Sequence, residues 1–236
     1  MELVRDGHPL LFGHRGAAAL AGENTHEAIA AAAEAGVDGV ELDVLRDRAG
    51  GLVIAHGPEI PPDAPSLAAA LAAASELGLL VQLDVKVGGV EADVVGALGE
   101  AEWLDRSLVS SCLLPSLVEF SRHAPELARS LTYPEDRFGV SGSPILRPLV
   151  RPGLAAMRSL LPRRLPRWLA AVDVAAATLN WAVVTPAAID ICHRRGVAVY
   201  VWTVNDPALA ETLVEMGADA IITDDPRIGH RGTPES

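Results

Sequence analysis

The sequence is short of lysine and cysteine and has no long apolar run, and each shortage excludes something. A single lysine, Lys86, stands beside 18 arginines, and 31 acids against 19 bases give a net charge of -12. So acidic a chain repels a nucleic-acid backbone, which sets nucleic acid aside as a partner. The two cysteines, Cys112 and Cys192, sit in apolar contexts without the spacing of a metal site, and both read as buried thiols. No stretch approaches the run of about 18 apolar residues that a spanning helix needs. The opening MELVRDGHPL carries charges where a secretory signal needs an apolar core. A cytoplasmic location is the expectation.

What is present is a regular alternation. With 236 residues, half of them hydrophobic, the length suits one large domain over residues 1–236. Short β-branched or apolar runs alternate with alanine-rich helical stretches, the habit of an α/β fold with a parallel sheet. Strands are expected at 10–14, 39–45, 52–56, 79–86, 107–112, 128–133, 174–179, 197–203 and 220–223. That is one more than an eight-stranded barrel holds. The short RDRAGG between Leu45 and Leu52 accounts for the surplus, because a parallel crossover needs a dozen or more residues and a hairpin does not. The expected fold is a (β/α)8 TIM barrel with a short β-hairpin extension after the second strand, a doubly wound open sheet being the alternative. If the hairpin turn is centred between Ala49 and Gly50, Asp43 faces His56.

One stretch departs in composition. Between Asp136 and Asp173 there are seven arginines and no acid, so the rest of the chain carries -19. This proline-broken, partly amphipathic excursion, at about 137–172, reads either as a surface element on the acidic body or as a lid or peripheral contact with an anionic membrane surface.

Candidate chemistry collects at strand ends. In GVELDVL, Glu41 and Asp43 are two apart and share one strand face among apolar neighbours. Two such carboxylates repel unless a cation joins them, and oxygen ligands favour Mg²⁺ or Ca²⁺ over zinc. In LVQLDVKV, Asp84 and Lys86 share a face likewise. Lys86 reads as a point charge for phosphate or as a structural partner of Asp84. FGHRG brings His14 and Arg15 to the end of the first strand, where barrel enzymes place their chemistry. Histidines as acid and base, a metal held by acids and two cations together suggest phosphate-ester cleavage.

These motifs resemble the glycerophosphodiester phosphodiesterase family. HRG, ENT, ELDV, VIAH, LDVK, VYVWTVND and IITDDP occur in order from His14 to Pro226. The resemblance implies a divalent metal held by Glu41, Asp43 and Asp84, an acid–base pair of His14 and His56, and phosphate contacts from Arg15 and Lys86. It also implies that Glu23 orients substrate or Arg15, and that Trp202 walls the glycerol side. The implied reaction is hydrolysis of a glycerophosphodiester to glycerol 3-phosphate and an alcohol. Cleavage of lysophospholipids, or a silent barrel that binds phosphodiesters or a protein, are the rivals. Gly57 stands where the family commonly has aspartate, so a partner for His56 must come from elsewhere, and Asp84 stands where glutamate is frequent.

Overall fold

Strand follows helix with one exception, in a computed structural model that describes residues 3–4, 8–57, 59–134 and 147–229. In chain order the elements are β1 (Leu10–His14), α1 (His26–Glu34), β2 (Gly39–Arg46), β3 (Leu52–Ile54), α2 (Leu67–Glu76), β4 (Leu80–Val85), α3 (Glu91–Glu100), β5 (Ser107–Ser111), α4 (Leu114–His123), β6 (Ala128–Tyr133), α5 (Arg147–Ala171), β7 (Ala176–Asn180), α6 (Pro186–His193), β8 (Ala198–Trp202), α7 (Pro207–Glu215) and β9 (Ala220–Thr223). Eight strands pair in parallel and β1 meets both β2 and β9, so the sheet closes into a (β/α)8 barrel. β3 lies outside it, antiparallel to β2.

Period-two alternation divides each strand between two environments. Val40, Leu42 and Val44 of β2 pack outward with Ile29, Leu71 and Leu83 under the helices. A second outer core joins α5, α6 and α7 to β7 and β8. Burying each such aliphatic side chain stabilises the fold by roughly 1.5–3 kcal/mol. Inside the barrel, Leu10, Phe12, Leu108, Tyr200 and Ile222 fill the end where the strands begin, and the Tyr200 hydroxyl donates to Leu3 O at 3.1 Å. Above them the lining becomes polar, with Gln82 Nε2 donating to Ser110 Oγ at 3.1 Å and to Thr178 Oγ1 at 3.3 Å. The next layer holds the acids. Register puts Asp43 beside Asp84, and Asp84 beside Ser110.

Helix starts are fixed by side chains worth about 1 kcal/mol each. Thr25 caps α1 by accepting from Ala28 N, and Asp206 caps α7 by accepting from Ala208 N and Leu209 N.

Three expectations need correction. The hairpin pairs Val44 with Ile54, so the turn is centred on Ala49 and Asp43 lies opposite Ala55, with Ala55 N donating to Asp43 O at 3.0 Å. Over Arg147–Ala171 the arginine-rich stretch is not broken by its interior prolines: Pro152, Pro162 and Pro166 sit inside one 25-residue helix. Each interior proline costs about 3 kcal/mol of intrinsic helix preference, which packing of the fully buried Leu161 and Leu165 against the barrel opposes. Arg137 lies outside the described residues. Of the thiols, Cys192 is buried and Cys112 is only partly so.

Candidate active site

β1 ends in a tight turn that the sequence enforces. A Cβ on Gly13 would lie 1.8 Å from Gly16 O, so only glycine fits there. The turn carries Arg15 into the left-handed region at φ 51°, and its backbone N–H donates to Glu41 Oε2 at 3.1 Å. A non-glycine residue in this conformation costs of the order of 1–2 kcal/mol, and the hydrogen bond to Glu41 opposes that cost. The result sets His14 and Arg15 over the acids of β2.

Asp43 is the hub. Fully buried, it accepts from Asn24 Nδ2 at 3.0 Å and from His56 Nδ1 at 3.0 Å. Its own N–H donates to Asn24 Oδ1 at 3.1 Å. Arg15 Nε lies 3.1 Å from Asp43 Oδ2, and Lys86 Nζ lies 2.7 Å from Asp43 Oδ1. These two are ion pairs without the alignment of hydrogen bonds, since neither Arg15 Nε nor Asp43 Oδ1 has a hydrogen-bond partner. Burial opposes ionisation of Asp43, but the His56 hydrogen bond and the Lys86 and Arg15 charges hold its carboxyl well below the usual range.

His56 stands beyond the end of β3, where the positive φ of Gly57, 88°, turns the chain. His56 reaches Asp43 although Ala55, and not His56, lies opposite Asp43 in the hairpin. The orienting partner that Gly57 cannot supply is therefore Asp43 itself. Asp84 is held by Ser110 Oγ at 2.7 Å and Thr132 Oγ1 at 3.1 Å, and it pairs with Lys86. Burial favours neutral Lys86, yet Asp84, Asp43 and Glu41 outweigh it and raise the ammonium pKa.

Glu41, Asp43 and Asp84 each offer an oxygen within 4.8 Å of the others. Lys86 and Arg15 compensate two of the three charges. Burial and the adjacent Asp43 push the third carboxyl, Glu41, up to about 7, against the pull of His14 and Lys86. A carboxylate in that state lacks a cation, and an all-oxygen donor set suits a hard divalent ion. The residues present fit a metal.

His14 has its own support. Its Nδ1 lies 2.6 Å from Asp224 Oδ1, and its Nε2 lies 3.9 Å from Glu41 Oε2. A carboxylate only accepts, so Nδ1 carries the hydrogen and Nε2 faces the acids. Burial would lower the His14 pKa, but the Asp224 hydrogen bond and the Glu41 charge raise it. Asn205 Nδ2 in turn donates to Asp224 Oδ2 at 2.7 Å.

A model of the Glycerophosphoryl diester phosphodiesterase family matches residues 14–85 and 146–228. The chain belongs to that family. A curated Glycerophosphodiester phosphodiesterase from Caldanaerobacter subterraneus is 26% identical over 256 residues, spanning 92% of this chain and 94% of the relative. Solved structures share the barrel, two relatives among them. A glycerophosphodiester phosphodiesterase from Parabacteroides distasonis superposes with a TM-score of 0.72 at 20% identity, covering 92% of each chain. An Oleispira antarctica phosphodiesterase in complex with the product sn-glycerol-3-phosphate does so with 0.71 at 22% identity, covering 93% of this chain and 94% of that one.

Of the nine sequence-derived family residues, His14 and Trp202 end β1 and β8, Arg15, Glu23, His56 and Lys86 lie in loops that follow strands, and Glu41, Asp43 and Asp84 stand within β2 and β4. Glu23 reaches Arg15 at 2.5 Å. Trp202, partly exposed at the end of β8, donates from Nε1 to Thr178 O at 3.3 Å. Sequence reasoning gave no role to Asp224, Asn24 or Asn205. Each lies inside a motif it did use, IITDDP, ENT and VND, where a neighbour took the attention.

Proposed function

We propose that this chain, acting as a single barrel domain, hydrolyses glycerophosphodiesters to glycerol 3-phosphate and an alcohol, with Glu41, Asp43 and Asp84 holding Mg²⁺ or Ca²⁺. The observation that carries the reading is the meeting of those three buried carboxylates with two histidines, each held at Nδ1 by a carboxylate. Family membership and the glycerol phosphate bound to the Oleispira relative support the substrate class. When bound, the ion would withdraw electron density from the phosphate and offset its charge.

The chain's own groups supply the rest. One histidine takes the proton of the glycerol 2-hydroxyl through Nε2 as that oxygen bonds to phosphorus. The bond from phosphorus to the alcohol breaks, and the other histidine, entering protonated, gives its proton to the departing oxygen. Water then adds to the cyclic phosphate. The ring bond at the 2-oxygen opens, that oxygen regains a proton, and glycerol 3-phosphate results. Arg15, fixed by Glu23 and Asp43, and Lys86 supply positive charge to the phosphate oxygens, while Trp202 bounds the glycerol side.

Release of glycerol 3-phosphate from glycerophosphocholine, with chelator and after restoration of Mg²⁺ or Ca²⁺, tests this. Turnover should vanish and return. Full activity in a thoroughly metal-free preparation refutes the ligand assignment.

A further inference from the structure

The positive charge of this acidic protein is concentrated on one helix. α5 carries six arginines and no acid or lysine, so the remainder of the chain holds -18. Arg151, Arg158, Arg163, Arg164 and Arg167 are all exposed. Two contacts locate the helix relative to the barrel. The Trp168 ring packs 5.1 Å from Tyr133, the last residue of β6, and Arg158 Nη1 donates to Ala182 O, just past the end of β7, at 3.4 Å. Both anchors are at the catalytic end of the strands. Arg163 and Arg164, which lie between the anchors in sequence, therefore stand near the level of the mouth, and Arg167 lies about one turn nearer the other end, where Asp173 O accepts from Arg129 Nε at 2.8 Å.

The same rim exposes apolar side chains. Trp181 is 44% exposed beside Ala182, with its N–H donating to Trp202 O at 2.8 Å. Leu20 is 37% exposed next to Ala19, whose N–H donates to Asp224 O at 3.0 Å. Glu23 and Asp225 share this rim, each paired with an arginine, Arg15 and Arg227, and the exposed Asp206 there caps α7 by accepting from Ala208 N and Leu209 N. An exposed tryptophan on the same side as arginines that have no carboxylate partner among the described residues is the composition of a bilayer interface. Among the described residues no helix is long and apolar enough to cross a membrane, so contact is peripheral.

We propose that the α5 side of the mouth docks on an anionic lipid bilayer. Overall negative charge does not prevent this, because a Debye length of about 8 Å at physiological salt screens acids at the far end of strands roughly 17–20 Å long. Docking would bring the mouth to the membrane surface. The surface is independent of the reaction proposed above.

Sedimentation with phosphatidylcholine vesicles, with or without a third of phosphatidylserine, tests it. The full chain should bind the anionic vesicles at low salt, release as salt rises, and ignore pure phosphatidylcholine. The triple variant Arg163→Gln, Arg164→Gln, Arg167→Gln should bind on the order of 100-fold more weakly. Trp181→Ala should weaken binding at every salt concentration. Arg194→Gln with Arg195→Gln, at the opposite end of the barrel where α6 leads into β8, should change little. Circular dichroism melting checks each variant's fold, so the vesicle result stands whether or not glycerophosphocholine is turned over. No vesicle binding at low salt, or equal losses in the triple variant and the control pair, would each overturn the proposal.

Discussion

Replacing Asp224 by asparagine or alanine isolates the carboxylate behind His14. The native pair is short, 2.6 Å, and partly buried, the setting in which a hydrogen bond to a charged group contributes about 1.5–3 kcal/mol. Losing that amount from a transition state in which His14 carries positive charge lowers kcat by roughly 10- to 100-fold, since 1.36 kcal/mol is tenfold. Asparagine keeps an acceptor for the Nδ1 hydrogen and loses only the charge, whereas alanine loses both. Asp224→Ala should therefore be slower than Asp224→Asn, with KM little changed in either, because the carboxylate reaches substrate only through His14. Steady-state release of glycerol 3-phosphate gives the split, and an Asn205→Ala variant, which frees Asp224 on its other side, should fall between wild type and Asp224→Asn. Wild-type kcat in Asp224→Ala would refute the argument.

The same pair leaves a mark on stability in metal-free protein. Burial opposes ionisation of Asp224, but the His14 and Asn205 hydrogen bonds lower its pKa below 3.8. Its contribution is complete above 3.8 and is lost as acidification passes its folded value. His14 is shifted the other way, above 6.5, so its contribution is complete below 6.5 and fades as pH rises past the raised value. The melting difference between wild type and Asp224→Asn should be largest between those two reference values. An unchanged difference from pH 4 to 9 would contradict the pairing.

His14→Ala and His56→Ala should each lower kcat by about 10²–10⁴, and the double variant should lose less than the product because the two act as a unit; a near-normal His56→Ala enzyme would mean that the hairpin delivers no catalytic group. Lys86, the chain's only side-chain amine, can be acetylated, which removes its charge, or dimethylated, which keeps it. Acetylation should nearly silence turnover, dimethylation should reduce it less, and bound glycerol 3-phosphate should protect the amine in peptide maps. Full acetylation with activity retained would leave Lys86 as a partner of Asp43 and Asp84 alone.

Local pattern carried much of the fold, because each strand alternates against fixed environments and the six-residue RDRAGG loop is too short for a crossover. The acids were legible for the same reason: Glu41, Asp43 and Asp84 interrupt apolar strands at period two. Asp224 was not, since it follows β9 beside a second aspartate and meets a histidine 210 residues earlier. Asn24 was hidden too, at φ 59° in a loop, its value arising only when Asp43 arrives across the turn. Hairpin register was missed by one residue because Asp47 closes the turn with two bonds of its own: its N–H donates to Gly51 O, and its Oδ1 accepts from Gly51 N. The α5 prolines misled for a different reason. Their cost is local and visible, whereas the burial of Leu161 and Leu165 that opposes it depends on strands far away.

The three candidate ligands differ in what their removal would report. Asp43, with no exposure, holds Asn24, His56, Arg15 and Lys86 at once. Truncating it leaves two cations short of a partner in the interior, a defect of about 3–5 kcal/mol, which approaches the whole stability of a domain that begins with about 5–15. Lost activity in Asp43→Ala would therefore speak of the fold as much as of the ion. Glu41 is the cleaner probe. Its one hydrogen bond to the turn, from the Arg15 N–H, can be accepted equally by a glutamine carbonyl. Burial and Asp43 already disfavour its charge, so Glu41→Gln removes repulsion and should melt at or above the wild-type temperature when metal is absent. In calorimetric titration the same variant should bind Mg²⁺ or Ca²⁺ far more weakly, because glutamine brings a neutral oxygen where the ion gains most from an anionic one. A variant that folds better and binds the ion worse separates the two roles within one strand; wild-type ion affinity in Glu41→Gln would remove Glu41 from the ligand set.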